Sequence, residues 1–217
     1  MVDYTEEEQI ERLRAWWSEN GTWLILAVAL GVAALLGWRQ WNSWQAERGV
    51  GASVLYEEML AAVEEAQQSA LSEGQSAIAQ ARANSLIEEY PDLAYADFAR
   101  MLLARLAVED GDLATAAGLL EQVVSSPASD MIRVTAMLRL ARVQAEQGNT
   151  DAALALLGKR YPDAFKGQAL ELKGDLLRRQ GDLAGARDAY NQALEAVEDD
   201  QFRNLVQMKL DDLVPAS

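Results

Sequence analysis

The chain has no cysteine and no histidine. The first absence excludes a disulfide framework, a thiol nucleophile and a zinc–thiolate site. It suits an oxidising compartment without requiring one. The second removes the commonest general base and metal ligand at neutral pH. Positive charge is also short: 19 Lys and Arg stand against 34 Asp and Glu, a net charge of −15. Residues 49–217 hold 15 basic and 27 acidic side chains, which leaves −12 on that part alone. Such a surface repels polyphosphate and is unsuited to nucleic acid or to lying flat on anionic lipid. No glycine-rich phosphate loop, G-x-S-x-G or calcium-loop spacing occurs. Adjacent carboxylates at Glu57/Glu58, Glu64/Glu65, Asp199/Asp200 and Asp211/Asp212 point in different directions on a helix and read as solvated faces. The sequence therefore predicts no enzyme, no cofactor and no metal.

Long uncharged stretches are absent with one exception, GTWLILAVALGVAALLGW, from Gly21 to Trp38. Eighteen helical residues reach about 27 Å, close to the ~30 Å hydrocarbon core of a bilayer. All six tryptophans lie around it: Trp16, Trp17 and Trp23 at one end, Trp38, Trp41 and Trp44 at the other. Indole prefers the headgroup level, so the two clusters read as two membrane interfaces. The preceding tail is acidic, and no small-residue cleavage site follows, so the segment is expected to stay attached as a signal anchor. Arg12 and Arg14 before the span balance Arg39 and Arg48 after it, and the positive-inside rule gives no orientation. Ala29, Ala33 and Gly37 share one face of the span and form a candidate docking stripe for another membrane helix.

The predicted order is a tail at 1–20, a transmembrane helix at 21–41 and a helical domain at 42–217. The tail opens on the capping pattern Thr5-x-x-Glu8 and places Ile10, Leu13, Trp16 and Trp17 on one face. It is expected to lie at the interface as a short amphipathic helix, interrupted at Asn20-Gly21. After Gly49, apolar residues at Val54, Leu55, Met59, Leu60 and Val63 resume a helical period.

Internal repetition organises the rest. Glycines at Gly74, Gly111, Gly148 and Gly181 are spaced by 37, 37 and 33 residues, and five residues beyond each stands Ala79, Ala116, Ala153 or Ala186. Each glycine is read as the left-handed end of a first helix, followed by Asp or Asn at three of the four to cap a second. The alanine lets the two helices approach closely. The unit resembles the tetratricopeptide repeat of about 34 residues. Leu170, Gly174, Leu177, Gly181, Ala186, Tyr190 and Ala193 fit its signature best; Leu103, Ala107, Gly111, Ala116 and Val123 fit less strictly. Pro91 stands where the repeat's terminal proline belongs, whereas the 37-residue spacings and the middle first helices depart from the signature. The predicted fold is all-α: one N-terminal transmembrane helix, then a solenoid of about four helix pairs. A last helix, with Phe202, Leu205, Val206 and Leu210 on one side, caps the open end.

First helices line the concave side of such a solenoid. Arg105 and Arg142 occupy equivalent positions 37 residues apart, and Arg178 lies one turn further along its own helix. Phe98, Met101 and Leu138 are expected to face the same groove. Arginines among apolar side chains suit an extended peptide, held by its backbone, its acidic groups or its C-terminal carboxylate.

Over its whole length the chain, with its TEEEQ tail, WW-x-ENG, single span, W-R-x-W and alanine-rich repeats, resembles the YfgM family of ancillary subunits of the bacterial SecYEG translocon. That resemblance implies an inner-membrane, single-pass protein with a cytoplasmic N-terminus and periplasmic repeats. It further implies partnership with SecYEG and with the membrane-anchored chaperone PpiD, and possible contact with exported clients. The residues alone leave two alternatives open: a scaffold for another envelope complex, in division or wall synthesis, and a cytosol-facing regulatory adaptor.

Overall fold

Three glycines set the joints of the folded chain. In the computed structural model, which describes residues 6–68 and 72–213, Gly111, Gly148 and Gly181 adopt φ of +79°, +84° and +84°. An L side chain is disfavoured there, so glycine ends a helix at each. Beyond each glycine an amide reaches five residues back: Asp112 to Ala107 O at 2.8 Å, Asn149 to Gln144 O at 2.8 Å and Asp182 to Leu177 O at 3.0 Å. These bonds satisfy carbonyls that the helix end would leave orphaned.

Among the described residues the chain is all helix: α1 (Glu6–Gln68), α2 (Ser72–Glu89), α3 (Ala94–Glu109), α4 (Leu113–Ser125), α5 (Asp130–Glu146), α6 (Thr150–Leu157), α7 (Asp163–Arg179), α8 (Leu183–Ala196) and α9 (Asp200–Asp211). The chain divides into two units, Met1–Gly51 and Ala52–Ser217. In the second unit the end of α1 pairs with α2, then α3 with α4, α5 with α6 and α7 with α8, and α9 closes the series.

The first unit is helix throughout its described part. Its apolar window is long enough to cross a membrane, with only 6% of it buried. Leu30, Leu35 and Leu36 stand 70%, 71% and 62% exposed, an arrangement for which water is the wrong solvent. The expected break at Asn20-Gly21 does not occur, and α1 runs on through both residues. Trp17 lies across Gly21, and a Cβ at Gly21 would come within 3.1 Å of its indole. Asn20 Nδ2 donates to Trp16 O at 3.1 Å. Glycine here seats a ring inside a continuous helix, and the asparagine amide is satisfied within it.

In the second unit Ala79, Ala116, Ala153 and Ala186 are all buried, at 1%, 0%, 0% and 0% exposure. Each sits at the tight seam of its pair, as the repeat spacing requires. Asp112 and Asp182 cap the helices after their glycines, accepting from Thr115 N at 3.0 Å and Gly185 N at 2.9 Å. Hydrogen bonds from the Thr115 hydroxyl and amide hold the Asp112 carboxyl below its ordinary pKa. Asn149 makes no such cap. Gly74 departs from the repeat reading altogether: it lies within the first turn of α2 without a left-handed backbone. The joint between α1 and α2 falls at residues 69–71, outside the described residues.

The core is a chain of local clusters, each shared between neighbours. Met59, Leu86 and Ala99 join the first pair to α3. Met101, Leu120, Ile132 and Leu140 join α3 and α4 to α5, and Leu138, Leu157, Leu172 and Leu176 join α5 and α6 to α7. Tyr190, Val206 and Leu213 close the last pair under α9. On α9 the inward stripe is Phe202, Val206 and Leu210; Leu205, expected on that side, is 47% exposed. The stripe advances by four residues at each step, and Leu205 stands one residue off it, about 100° round the helix.

Gly174 makes the closest approach between α7 and α8. A Cβ there would lie 2.4 Å from the ring of Tyr190, whose hydroxyl donates to Asp175 Oδ1 at 2.7 Å. Burial, and then this bond, raise the Tyr190 pKa. Gly174→Ala is expected to cost about 1–3 kcal/mol through overpacking. Gly111→Ala, Gly148→Ala and Gly181→Ala should each cost about 1–2 kcal/mol by forcing L residues into left-handed backbone. Gly118→Ala, in α4 with open space at its Cβ, should instead stabilise by about 0.5–1 kcal/mol. Urea unfolding followed by far-UV circular dichroism distinguishes the signs, and equal shifts for all five would refute this account of the turns.

Candidate functional site

The first helices of the pairs form a continuous surface. α3 packs on α5 and α5 on α7, whereas no comparable packing joins α4 to α6 or α6 to α8 among the described residues. Crowding on one side and splaying on the other curves the stack, and the first helices line the inside. On α3 the solvent stripe reads Phe98, Leu102, Arg105 and Glu109; on α5, 37 residues on, it reads Thr135, Arg139, Arg142 and Glu146. Phe98, Arg105 and Arg142 are exposed on this surface, and Arg178 is exposed near the end of α7.

Met101 and Leu138 are not in the groove. They are 5% and 3% exposed and belong to the core on either side of α5. Each stands four residues before its arginine, a rotation of about 400°, so roughly 40° beyond a full turn. That offset carries the side chain from the open stripe into the seam.

The same projection brings in residues that the sequence reading passed over. Arg139 stands three residues before Arg142 on the stripe. Desolvation lowers its pKa, and the charges of Arg105 and Arg142 lower it further. At the α1 side, Tyr56 stacks at a tilt against Tyr95 and Phe98, with ring centroids 5.2 and 5.8 Å apart. A cleft of about 400 Å³ between α5 and α7 is lined by Arg142, Leu172, Leu176, Arg178 and Arg179, among others.

Several cations on or against the first helices are engaged. Arg105 Nε lies 3.3 Å from Glu109, and Arg179 lies 2.8 Å from Glu146 across the α5–α7 boundary. That bond raises the Arg179 pKa. Lys209 of α9 reaches Glu171 and, at 2.6 Å, Asp175 on α7. Burial lowers the Lys209 pKa, but the two carboxylates outweigh burial and the net direction is upward. Gln147 Nε2 donates to Leu113 O at 2.9 Å, a further tie between successive pairs. Asp97, 2% exposed, accepts from Arg100 at 3.1 Å and from Ala128 N at 2.8 Å, and so fixes the loop before α5 to α3.

Ala29, Ala33 and Gly37 lie exposed along α1, and a Cβ at Gly37 would meet nothing within 4 Å. The stripe is open to a neighbour.

Comparison with known proteins agrees with this architecture. The pattern of the tetratricopeptide repeat-like domain matches residues 14–215. The ancillary SecYEG translocon subunit of Haemophilus influenzae is 30% identical over 208 residues, covering 96% of this chain and 97% of that protein. That of Escherichia coli is 30% identical over 208 residues, with 96% of each covered. That of Neisseria gonorrhoeae is 30% identical over 209 residues, at 96% and 97% coverage. A left-handed glycine at three joints, a buried alanine in all four pairs and likeness along nearly the whole chain lead to one conclusion: this chain belongs to the family of ancillary SecYEG translocon subunits, built on tetratricopeptide repeat-like helices.

Proposed function

We propose that the chain is a non-catalytic subunit held at the SecYEG translocon by its N-terminal helix, with its repeats serving as an interaction domain for exported proteins and their chaperones. The carrying observation is the match of 96% of the chain to proteins of that name. The apolar, unburied window of α1 supports membrane anchoring, and the open face at Ala29, Ala33 and Gly37 supports close approach of a translocon helix. In this reading residues 1–20 are cytoplasmic, 21–41 cross the inner membrane once and the domain of residues 42–217 works in the periplasm. A PpiD-like anchored chaperone is its neighbour there. Cysteine-free repeats suit that oxidising compartment.

Sealed spheroplasts treated with protease should lose the repeat domain and keep a membrane-protected N-terminal fragment. Photocrosslinkers at Ala29, Ala33 and Gly37 should capture a translocon helix. Protection of the repeats would instead make the protein a cytosol-facing adaptor. Capture of a division or wall-synthesis protein, with no translocon subunit, would make it a scaffold for that machine. Either result overturns the proposal.

A further inference from the structure

We infer that Arg105, Arg139 and Arg142, on the inner face of the second and third helix pairs, form a docking site for an acidic, extended segment of a partner protein. The inference rests on reading the repeats as an interaction domain and adds the chemistry of what they hold.

Charge balance is the first argument. Residues 49–217 carry 27 carboxylates against 15 basic groups, so partners for arginine are in surplus. The chain uses that surplus around the site: Glu109 meets Arg105, Glu146 meets Arg179, and Glu171 and Asp175 meet Lys209. Arg139 and Arg142 have no ion pair among the described residues. They stand one turn apart on α5, with Arg105 of α3 close enough for its charge to act on Arg139. Like charges gathered on adjacent helices oppose folding unless something else neutralises them. Glu109 answers Arg105, and Glu146 and Asp175 share the cleft with Arg142 but are turned to Arg179 and Lys209, so Arg139 and Arg142 are left without an ion pair among the described residues.

Geometry supplies the second argument. Arg105 and Arg142 sit at equivalent positions of successive pairs, and Arg139 stands three residues before Arg142 on the stripe of α5. Guanidinium forks take carboxylates in a fixed planar geometry. The arginines continue on one side toward the α5–α7 cleft and Arg178. On the other side lies the platform of Tyr56, Tyr95 and Phe98, with Phe98 on the same stripe of α3 as Arg105. A segment laid across the first helices meets an apolar platform and then cations, an order that favours a peptide with carboxylates beside apolar side chains. Nucleic acid is disfavoured by the −12 carried by the surrounding domain.

The test uses the full chain in nanodiscs of zwitterionic lipid. The probe is a fluorescent extended peptide of alternating Glu, Leu, Asp and Ala residues. Its Gln/Asn isostere is the control. The acidic probe should bind, weaken as salt rises, and outcompete the isostere. Arg139→Gln and Arg142→Gln should each weaken binding about tenfold, the scale of one charged hydrogen bond. Arg133→Gln, whose arginine pairs with Asp130 at 2.8 Å, should leave binding unchanged. Unaltered circular dichroism and melting in all variants exclude a folding defect. Equal binding of probe and isostere, or full binding by Arg139→Gln/Arg142→Gln, would overturn the inference. So would binding to phosphatidylglycerol vesicles that the double variant loses, since the arginines would then serve lipid. Crosslinking from Ala33 in the same variants keeps the two proposals apart. Translocon capture without probe binding sinks only this inference, and probe binding without translocon capture sinks only the proposed function.

Discussion

A pair of antiparallel helices with one apolar side cannot bury that side alone, and everything in the second unit follows from this constraint. Ala79, Ala116, Ala153 and Ala186 close each pair tightly, but the larger residues Leu86, Leu120 and Leu157 belong to clusters completed by the next pair, and Tyr190 to one completed by α9. Stability is therefore a sum of neighbour contacts along one dimension, and the last pair must be closed by something that is not a pair. α9 does this with Phe202, Val206 and Leu210 inward and Lys209 tied to α7. The inner face follows from the same packing, in which α3 meets α5 and α5 meets α7 with no comparable packing of α4 on α6 or α6 on α8 among the described residues.

The first unit obeys a different solvent. Its exposed leucines would be a defect in water, yet they are what a bilayer requires of a single helix, whose backbone bonds are all satisfied internally. Arg48 lies over the Trp44 ring, 4.8 Å from its centroid, so a cation and an indole are matched at the end of the apolar run. Trp17 over Gly21 does the equivalent at the other end. The glycine that reads as a break in the sequence thus seats a ring without interrupting the helix.

Much of this was legible in the chain because the decisive positions admit few residues. A left-handed joint selects glycine, a cap after it selects aspartate, and a tight seam selects alanine, so three joints could be read from Gly111-Asp112, Gly148-Asn149 and Gly181-Asp182. Gly74 misled because glycine alone is not the signal: Gln75 follows it, a residue outside the capping set, and Gly74 lies inside α2. Met101 and Leu138 misled for a rotational reason. Spacing of four residues keeps two side chains on one broad face, but the boundary between groove and seam falls within the remaining ~40°. Arg139 was missed by the converse route, since repeat register puts Leu102 and Leu172 at its equivalents and so marks no pattern. Pattern finds what recurs; a functional residue need recur only once.

That asymmetry bears on how one scaffold acquires a specific surface. Positions fixed by packing repeat with the period of the stack, and a substitution there costs stability in two neighbouring units at once. Positions on the inner stripe meet that demand in some pairs and not in others. At the place of Arg142, α7 carries Asp175, which serves Lys209 and Tyr190 in closing the end of the stack. At the place of Arg139, α7 carries Leu172, which serves the core. The same two positions are thus structural in the last pair and open in the third: Asp175 is spent on the cap, and Leu172 on the seam with α5 and α6. An arginine pair without ion-pair partners among the described residues can stand on α5 because α5 is interior to the solenoid: both of its neighbours already bury its apolar face, and its exposed positions carry no packing role.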